Sequence, residues 1–117
     1  MIRKFDAQRV VANENMRGGK GCVHITHLYE KDNDEFYGKG RLFAKITLQP
    51  GESIGYHVHE GESEGFYVAS GRVAFNDNGT LCEATAGDLL FTGAGEGHSV
   101  ENIGDEVVDL IALILYK

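Results

Sequence analysis

Several common protein classes are excluded by what this 117-residue sequence lacks. It has only two cysteines, Cys22 and Cys82, with no CxxC spacing between them. That leaves neither a disulfide framework nor a zinc ribbon, and it fits free thiols in a reducing cytoplasm. Basic residues are outnumbered, 11 against 18 acidic, for a net charge of −7. Sustained contact with nucleic acid or an anionic membrane needs clustered Lys and Arg, so neither partner is expected. The longest strongly apolar stretch, residues 110–116, falls far short of a membrane span. The first six residues turn polar too early for a secretory signal, which also predicts a cytoplasmic protein. No stretch sustains a 3.6-residue apolar period over three turns, and there is no internal repeat, low-complexity tract or linker.

What is present reads as strands. Sixteen glycines and one proline punctuate the chain as turns, and 42 % of residues are hydrophobic. Candidate strands run over 23–29, 41–49, 55–59, 64–70, 72–76, 80–83, 88–91, 98–102 and 107–116, with Val10 and Val11 in a further short one. The run Asn76-Asp77-Asn78-Gly79 supplies positive-φ residues for a tight hairpin. Residues 31–40 and 16–21 read as exposed loops. Many short strands at close spacing predict one all-β domain over 1–117, a sandwich or barrel. At this length it buries roughly two-thirds of the surface its unfolded chain exposes.

Alternation assigns the faces. Leu42, Ala44, Ile46 and Leu48 share one parity and face the interior, which leaves Arg41 and Lys45 outside. Strand 107–116 is apolar on both parities and is expected to be covered on both sides. In a lone chain its outer face needs a cover, either the N-terminal segment or a second copy, so a homodimer is expected.

Chemistry is concentrated in two spaced clusters. The first runs Gly51, His57, His59, Glu64, Gly71; the second runs Gly87, Gly93, Gly95, His98, Asn102. His57 and His59 lie two apart in a strand, so both rings point to one face. Glu64 and His98 join them only if other strands of the same sheet or barrel bring them there. Three imidazole nitrogens and a carboxylate oxygen would then suit one divalent first-row metal with coordination positions left open.

The two clusters resemble the paired motifs of the cupin superfamily, small β-barrels of jelly-roll (double-stranded β-helix) type. The first matches at every spaced position, and the second matches except that Gly93 stands where the family usually has proline. Losing that ring should loosen the turn without touching a ligand. The resemblance implies that His57, His59, Glu64 and His98 hold one divalent transition metal, whether Fe, Mn, Ni, Co, Cu or Zn. Burying these four groups without partners would cost a few kcal/mol each, which a cation offsets.

The bland readings are a hydrogen-bonded core histidine and a solvated edge carboxylate. They suit His24 and His27, which face opposite sides of their strand, and the turn residues Glu60 and Glu62. Asn102 is expected to brace its strand, Tyr56 and Tyr67 to point outward, and Gly95-Glu96-Gly97 to form a flexible rim. No catalytic acid or base stands out. The substrate pocket is expected among Leu42, Ala44, Ile46, Phe66, Val68, Val100, Leu110 and Ala112.

A small-molecule partner follows, and three functions compete for it. The favoured one is a metalloenzyme, with oxygenase-type chemistry on a small chelating molecule ahead of isomerase or lyase chemistry. Phosphosugars are disfavoured, because parity turns the basic residues outward. The second is a non-catalytic module that binds or senses a small ligand or metal. The third is a structural role with an incidental metal.

Overall fold

Ten strands in two antiparallel sheets make up most of the chain. The structure is a computed structural model covering residues 1–117. The strands are β1 (Val10–Glu14), β2 (Cys22–His27), β3 (Gly40–Leu48), β4 (Ser53–Val58) and β5 (Glu62–Ser70), followed by β6 (Arg72–Asp77), β7 (Thr80–Thr85), β8 (Leu89–Thr92), β9 (Gly97–Asn102) and β10 (Val108–Tyr116). One sheet has the order β1-β2-β3-β10-β5-β8 and the other β4-β9-β6-β7. Non-sequential neighbours within both sheets give the jelly-roll connectivity. β6 and β7 pair down to Asp77 opposite Thr80, closed by Asn78 at φ 49° and Gly79 at φ 101°. Those are the positive-φ positions that a two-residue hairpin turn requires.

Alternation places the core between the sheets. Ala44, Ile46 and Leu48 of β3 are buried, and so are Val108, Leu110, Ala112 and Ile114 of β10. Phe66 and Val68 of β5 join them from the same sheet. Val73, Phe75, Val100 and Ile54 close the core from the other. Asn102 braces the base of the barrel, donating from Nδ2 to the carbonyls of Leu48 and Glu106.

Four expectations need correction. β10 is not covered on both sides within the chain, since Leu113 and Leu115 are 38 % and 42 % exposed. β1 extends the sheet edge beside β2 instead of folding over that face. Residues 31–40 are not wholly exposed: Phe36 is buried edge-on against Tyr29, with ring centroids 5.2 Å apart. Glu35 beside it accepts a two-pronged hydrogen bond from Arg3, at 2.7 and 3.0 Å. That fork ties the N-terminal segment to the loop.

The fourth correction concerns parity. β3 carries an extra residue between Gly40 and Leu42, opposite the adjacent pair Leu115 and Ile114 of β10. This bulge at Arg41 lets two consecutive side chains, Arg41 and Leu42, face one cavity, which a strict period of two forbids. Lys45, beyond the bulge, keeps its outward parity and lies over the Phe5 ring.

Candidate metal centre and its cavity

The two sheets part at one end of the barrel, where the histidines and Glu64 meet. His57 is the penultimate residue of β4, His59 directly follows that strand, His98 is the second residue of β9 and Glu64 lies in β5 of the opposite sheet. A second bulge sets their register. Ile54 pairs with Val100 and His57 with His98, so Gly55 and Tyr56 together oppose Ser99. The extra residue lets Ile54 and His57, of opposite parity, both face inward.

One donor atom from each of His57, His59, Glu64 and His98 lies within 4.8 Å of every other. His59 Nε2 is 3.1 Å from His98 Nε2 and 2.9 Å from Glu64 Oε1. His98 Nε2 is 3.2 Å from His57 Nε2 and 3.1 Å from the same Glu64 oxygen. Cis donors bonded to a first-row metal at about 2.1 Å stand about 3 Å apart, which is the spacing found here.

The opposite ring nitrogens place a proton on Nδ1 of His57 and His59, while the Thr92 hydroxyl beside His98 can donate or accept. His57 Nδ1 lies 2.8 Å from the Gly55 carbonyl, which can only accept, so Nδ1 carries the proton. His59 Nδ1 donates to Glu62 Oε1 at 2.9 Å, and His98 Nδ1 lies 2.8 Å from Thr92 Oγ1. The Nε2 atoms of all three rings converge with a carboxylate oxygen, and each presents a lone pair there when Thr92 Oγ1 accepts from His98 Nδ1. Such a cluster of acceptors is repulsive without a cation between them, so the residues present fit a divalent metal.

Without a cation the electrostatics favour a neutral His57 and an ionised Glu64 but draw His59 toward its protonated form. Burial pushes the His57 pKa down, and the nearby charges of His98, His59 and Arg17 push the same way, which favours the neutral ring a ligand needs. Burial pushes the Glu64 carboxyl up, but the hydrogen bonds with His59 and His98 outweigh it and leave the pKa below the ordinary value. His59 is raised, chiefly by its hydrogen bond with Glu64.

Around the cluster, one wall is apolar and the rim is cationic. A cavity of about 140 Å³ is lined by Met16, Ile25, Leu42, Ile46, Ile54, Phe66 and Ile114, with Arg17, Arg41, His57, His59 and Glu64. Of the eight expected pocket residues, Leu42, Ile46 and Phe66 line it. Ala44, Val68, Val100, Leu110 and Ala112 lie deeper, at 0–2 % exposure in the core, because the sheets close together below the cluster. Arg41 is a correction to the outward assignment, and its bulge is the reason. Its guanidinium forks onto Glu62 at 2.7 and 2.7 Å.

Glu62 is likewise not a turn residue. It begins β5, is buried, and bridges Arg41 to His59, while Glu60 stays exposed. The hydrogen bond from Arg41 holds its carboxyl down to about 2. Its inward parity with Glu64 was legible in the sequence. Thr92 lies one residue past the expected end of its strand. Arg17 had no signal, since it belongs to a loop.

That loop and the rim are both tied down. Lys20 donates its backbone N–H to Ser53 Oγ and Ser53 returns one to the Lys20 carbonyl, lashing the 15–21 segment to β4. Gly95 N–H donates to the His59 carbonyl and His59 N–H to the Glu96 carbonyl. Gly93 N–H donates to Glu96 Oε1 at 2.8 Å. A proline there would lack that N–H, so glycine does not loosen this turn. Its side-chain tie replaces the fixed φ.

A two-sheet jelly roll with a three-histidine, one-glutamate cluster at its open end is the architecture of a cupin. The chain belongs to that family: the cupin domain model matches residues 44–114. Among characterised relatives, the oxalate-binding protein of Thermotoga maritima is 46 % identical over 101 residues, covering 86 % of this chain and 82 % of that protein. A Thermotoga maritima crystal structure described as a "predicted oxalate decarboxylase" superposes with a TM-score of 0.93 at 41 % identity over the whole of both chains. An RmlC-like cupin from Shewanella frigidimarina shares the fold at 20 % identity, with a TM-score of 0.72 over 97 % of this chain and 88 % of that one.

Proposed function

We propose that this protein binds a compact carboxylate, with oxalate as the leading candidate, at a divalent metal held by His57, His59, Glu64 and His98. One observation carries the reading: a cavity of about 140 Å³ opens on the donor cluster and is rimmed by Arg17 and Arg41. Pockets for drug-sized ligands run from roughly 300 Å³ upward, so only a molecule of a few heavy atoms fits. A bound metal would supply Lewis-acid chelation of two oxygens on such a ligand, and the apolar wall would strengthen that attraction by excluding water. Fe, Mn, Co, Ni, Cu and Zn all suit the donor set. The oxalate-binding relative supports the same ligand.

Binding without turnover is the reading we favour. The acidic residues at the cluster are both committed, Glu64 to the histidines and Glu62 to Arg41 and His59. Neither is free to move a proton. The second reading is oxygenase-type or decarboxylating chemistry on the same ligand, favoured by the open coordination positions and dry wall.

Metal analysis of protein purified without a metal-binding tag, then calorimetry with oxalate, separates these. We expect one oxalate per chain on the metal-loaded protein and none after chelation or in His57→Ala, with no carbon dioxide or formate released. Release of either product moves the protein to the enzyme reading. Absence of oxalate binding by the loaded protein sinks the ligand assignment.

Two further features belong to this reading. Cys22 and Cys82 are free thiols, as a cytoplasmic protein would have, and no helix is long and apolar enough to cross a membrane. The exposed face of Tyr67, Leu89, Phe91, Leu113 and Leu115 supports a homodimer.

A further inference from the structure

The two arginines at the cavity are not equivalent. Arg41 is neutralised by its fork onto Glu62, whereas Arg17 makes no ion pair and no side-chain hydrogen bond. An unpaired guanidinium at the rim of a small concave site is a positive charge waiting for an anion.

Its backbone makes the case stronger. Arg17 sits at φ 54°, ψ 30°, the left-handed region that a non-glycine residue enters only against strain. Two glycines follow it, at 18 and 19, so a residue without this strain is one position away in the same turn. The strained conformation is held from several sides. Asn15 Nδ2 donates to the Gly19 carbonyl, and Lys20 and Ser53 exchange hydrogen bonds. The Arg17 and Gly19 backbones pack so closely on β4 that a Cβ at Gly55 would collide with the Arg17 carbonyl and one at Gly19 with Ser53. This strap brings Met16 and Arg17 into the lining of the cavity that also holds Glu64 of β5, with Arg17 exposed to solvent.

We propose that Arg17 is the anion-recognising residue of the cavity, its guanidinium gripping the ligand carboxylate that faces the mouth, so that the site selects dicarboxylates over monocarboxylates. The proposal rests on the reading of the cavity as a carboxylate site. A planar five-donor fork matches a carboxylate with two parallel hydrogen bonds, and lysine reproduces the charge without the fork.

The test is calorimetry of the full chain loaded with Mn(II), with oxalate and acetate as probes, on wild type, Arg17→Gln and Arg17→Lys. Loss of a charge-assisted hydrogen bond predicts that Arg17→Gln weakens oxalate by about ten- to a hundred-fold. Acetate, which has no second carboxylate, should weaken far less, and Arg17→Lys should recover part of the loss. Mn(II) affinity should not fall in either variant, since Arg17 supplies no donor to the metal. Oxalate affinity in Arg17→Gln within twofold of wild type overturns the role of Arg17 and leaves the ligand reading standing. An equal loss for oxalate and acetate, or a parallel loss of Mn(II) affinity, also overturns it and points to a strap that is merely structural. Failure of the wild type to bind oxalate removes the ligand reading itself, and this proposal with it.

Discussion

Glu62 donates no atom to the metal cluster, yet it decides which nitrogen of His59 faces inward. With Nδ1–H held by a carboxylate, Nε2 is left as the donor, and Arg41 keeps that carboxylate ionised and still. Partners of this kind are worth about ten- to a hundred-fold in metal affinity. Glu62→Gln should therefore weaken Mn(II) or Zn(II) binding by about that range while the protein stays folded. Competition titration against a fluorescent chelator measures it, and an unchanged affinity would show that His59 needs no such orienter. Arg41→Ala should produce a smaller loss in the same direction, because it frees Glu62 without deleting it. At this scale the sequence was partly readable. Types and spacing selected His57, His59, Glu64 and His98 as one group, whereas Glu62 was assigned to a turn although it shares the parity of Glu64. Arg41 was misread because one inserted residue reversed its side.

Among the elements, periodicity carried the strand assignments and local insertions defeated them. The alternation of 42–48 and 108–114 is realised in β3 and β10, and the Asn78-Gly79 turn forms where its residues require positive φ. Bulges at Arg41 and Gly55 leave no trace in composition, because one extra residue breaks a period without changing which residue types are present. The strap over 15–21 was invisible for a related reason: long-range hydrogen bonds hold it to β4, and local preference does not. Gly55 is where strap and bulge meet. Gly55→Ala should force the Arg17 carbonyl away and cost about 1–3 kcal/mol of stability, read as a lowered denaturation midpoint. A midpoint equal to wild type would mean that the strap is not seated on β4. The N-terminal segment gives a pH test. The Arg3 fork holds the Glu35 carboxyl down to about 2, against an ordinary value of 4.5. A depressed carboxyl stabilises the fold above pH 4.5, and its contribution disappears as pH falls from 4.5 toward 2. Glu35→Gln should flatten the fall in stability over that window, as followed by thermal melts. An identical slope in both proteins would show that the fork does not form in solution.

For the whole molecule, the unresolved matter in a lone chain is the outer face of the six-stranded sheet. Its inner face packs the core, but outside it presents Tyr67, Leu89, Phe91, Leu113 and Leu115, between 38 % and 69 % exposed. These side chains come from the neighbouring strands β5, β8 and β10, with Phe43 of β3 and Ile111 beside them, so they form one continuous patch. Isolated exposed leucines are ordinary, whereas a contiguous patch marks a surface that something covers. The N-terminal segment is already committed elsewhere, through β1 at the sheet edge and the Arg3 fork. A net charge of −7 opposes association of the chain as a whole, so an apolar contact between copies must outweigh that repulsion. The two effects separate by experiment. Raising salt screens the charge and should tighten the dimer, where an interface built on ion pairs would loosen. Leu113→Glu places an unpaired charge at the centre of the patch and should yield a 12.8 kDa monomer by light scattering. Its metal and oxalate affinities should stay unchanged, because Leu113 points away from the cavity. A wild-type particle of 12.8 kDa at all concentrations would remove the dimer, and a dimer that survives Leu113→Glu would place the contact on another face.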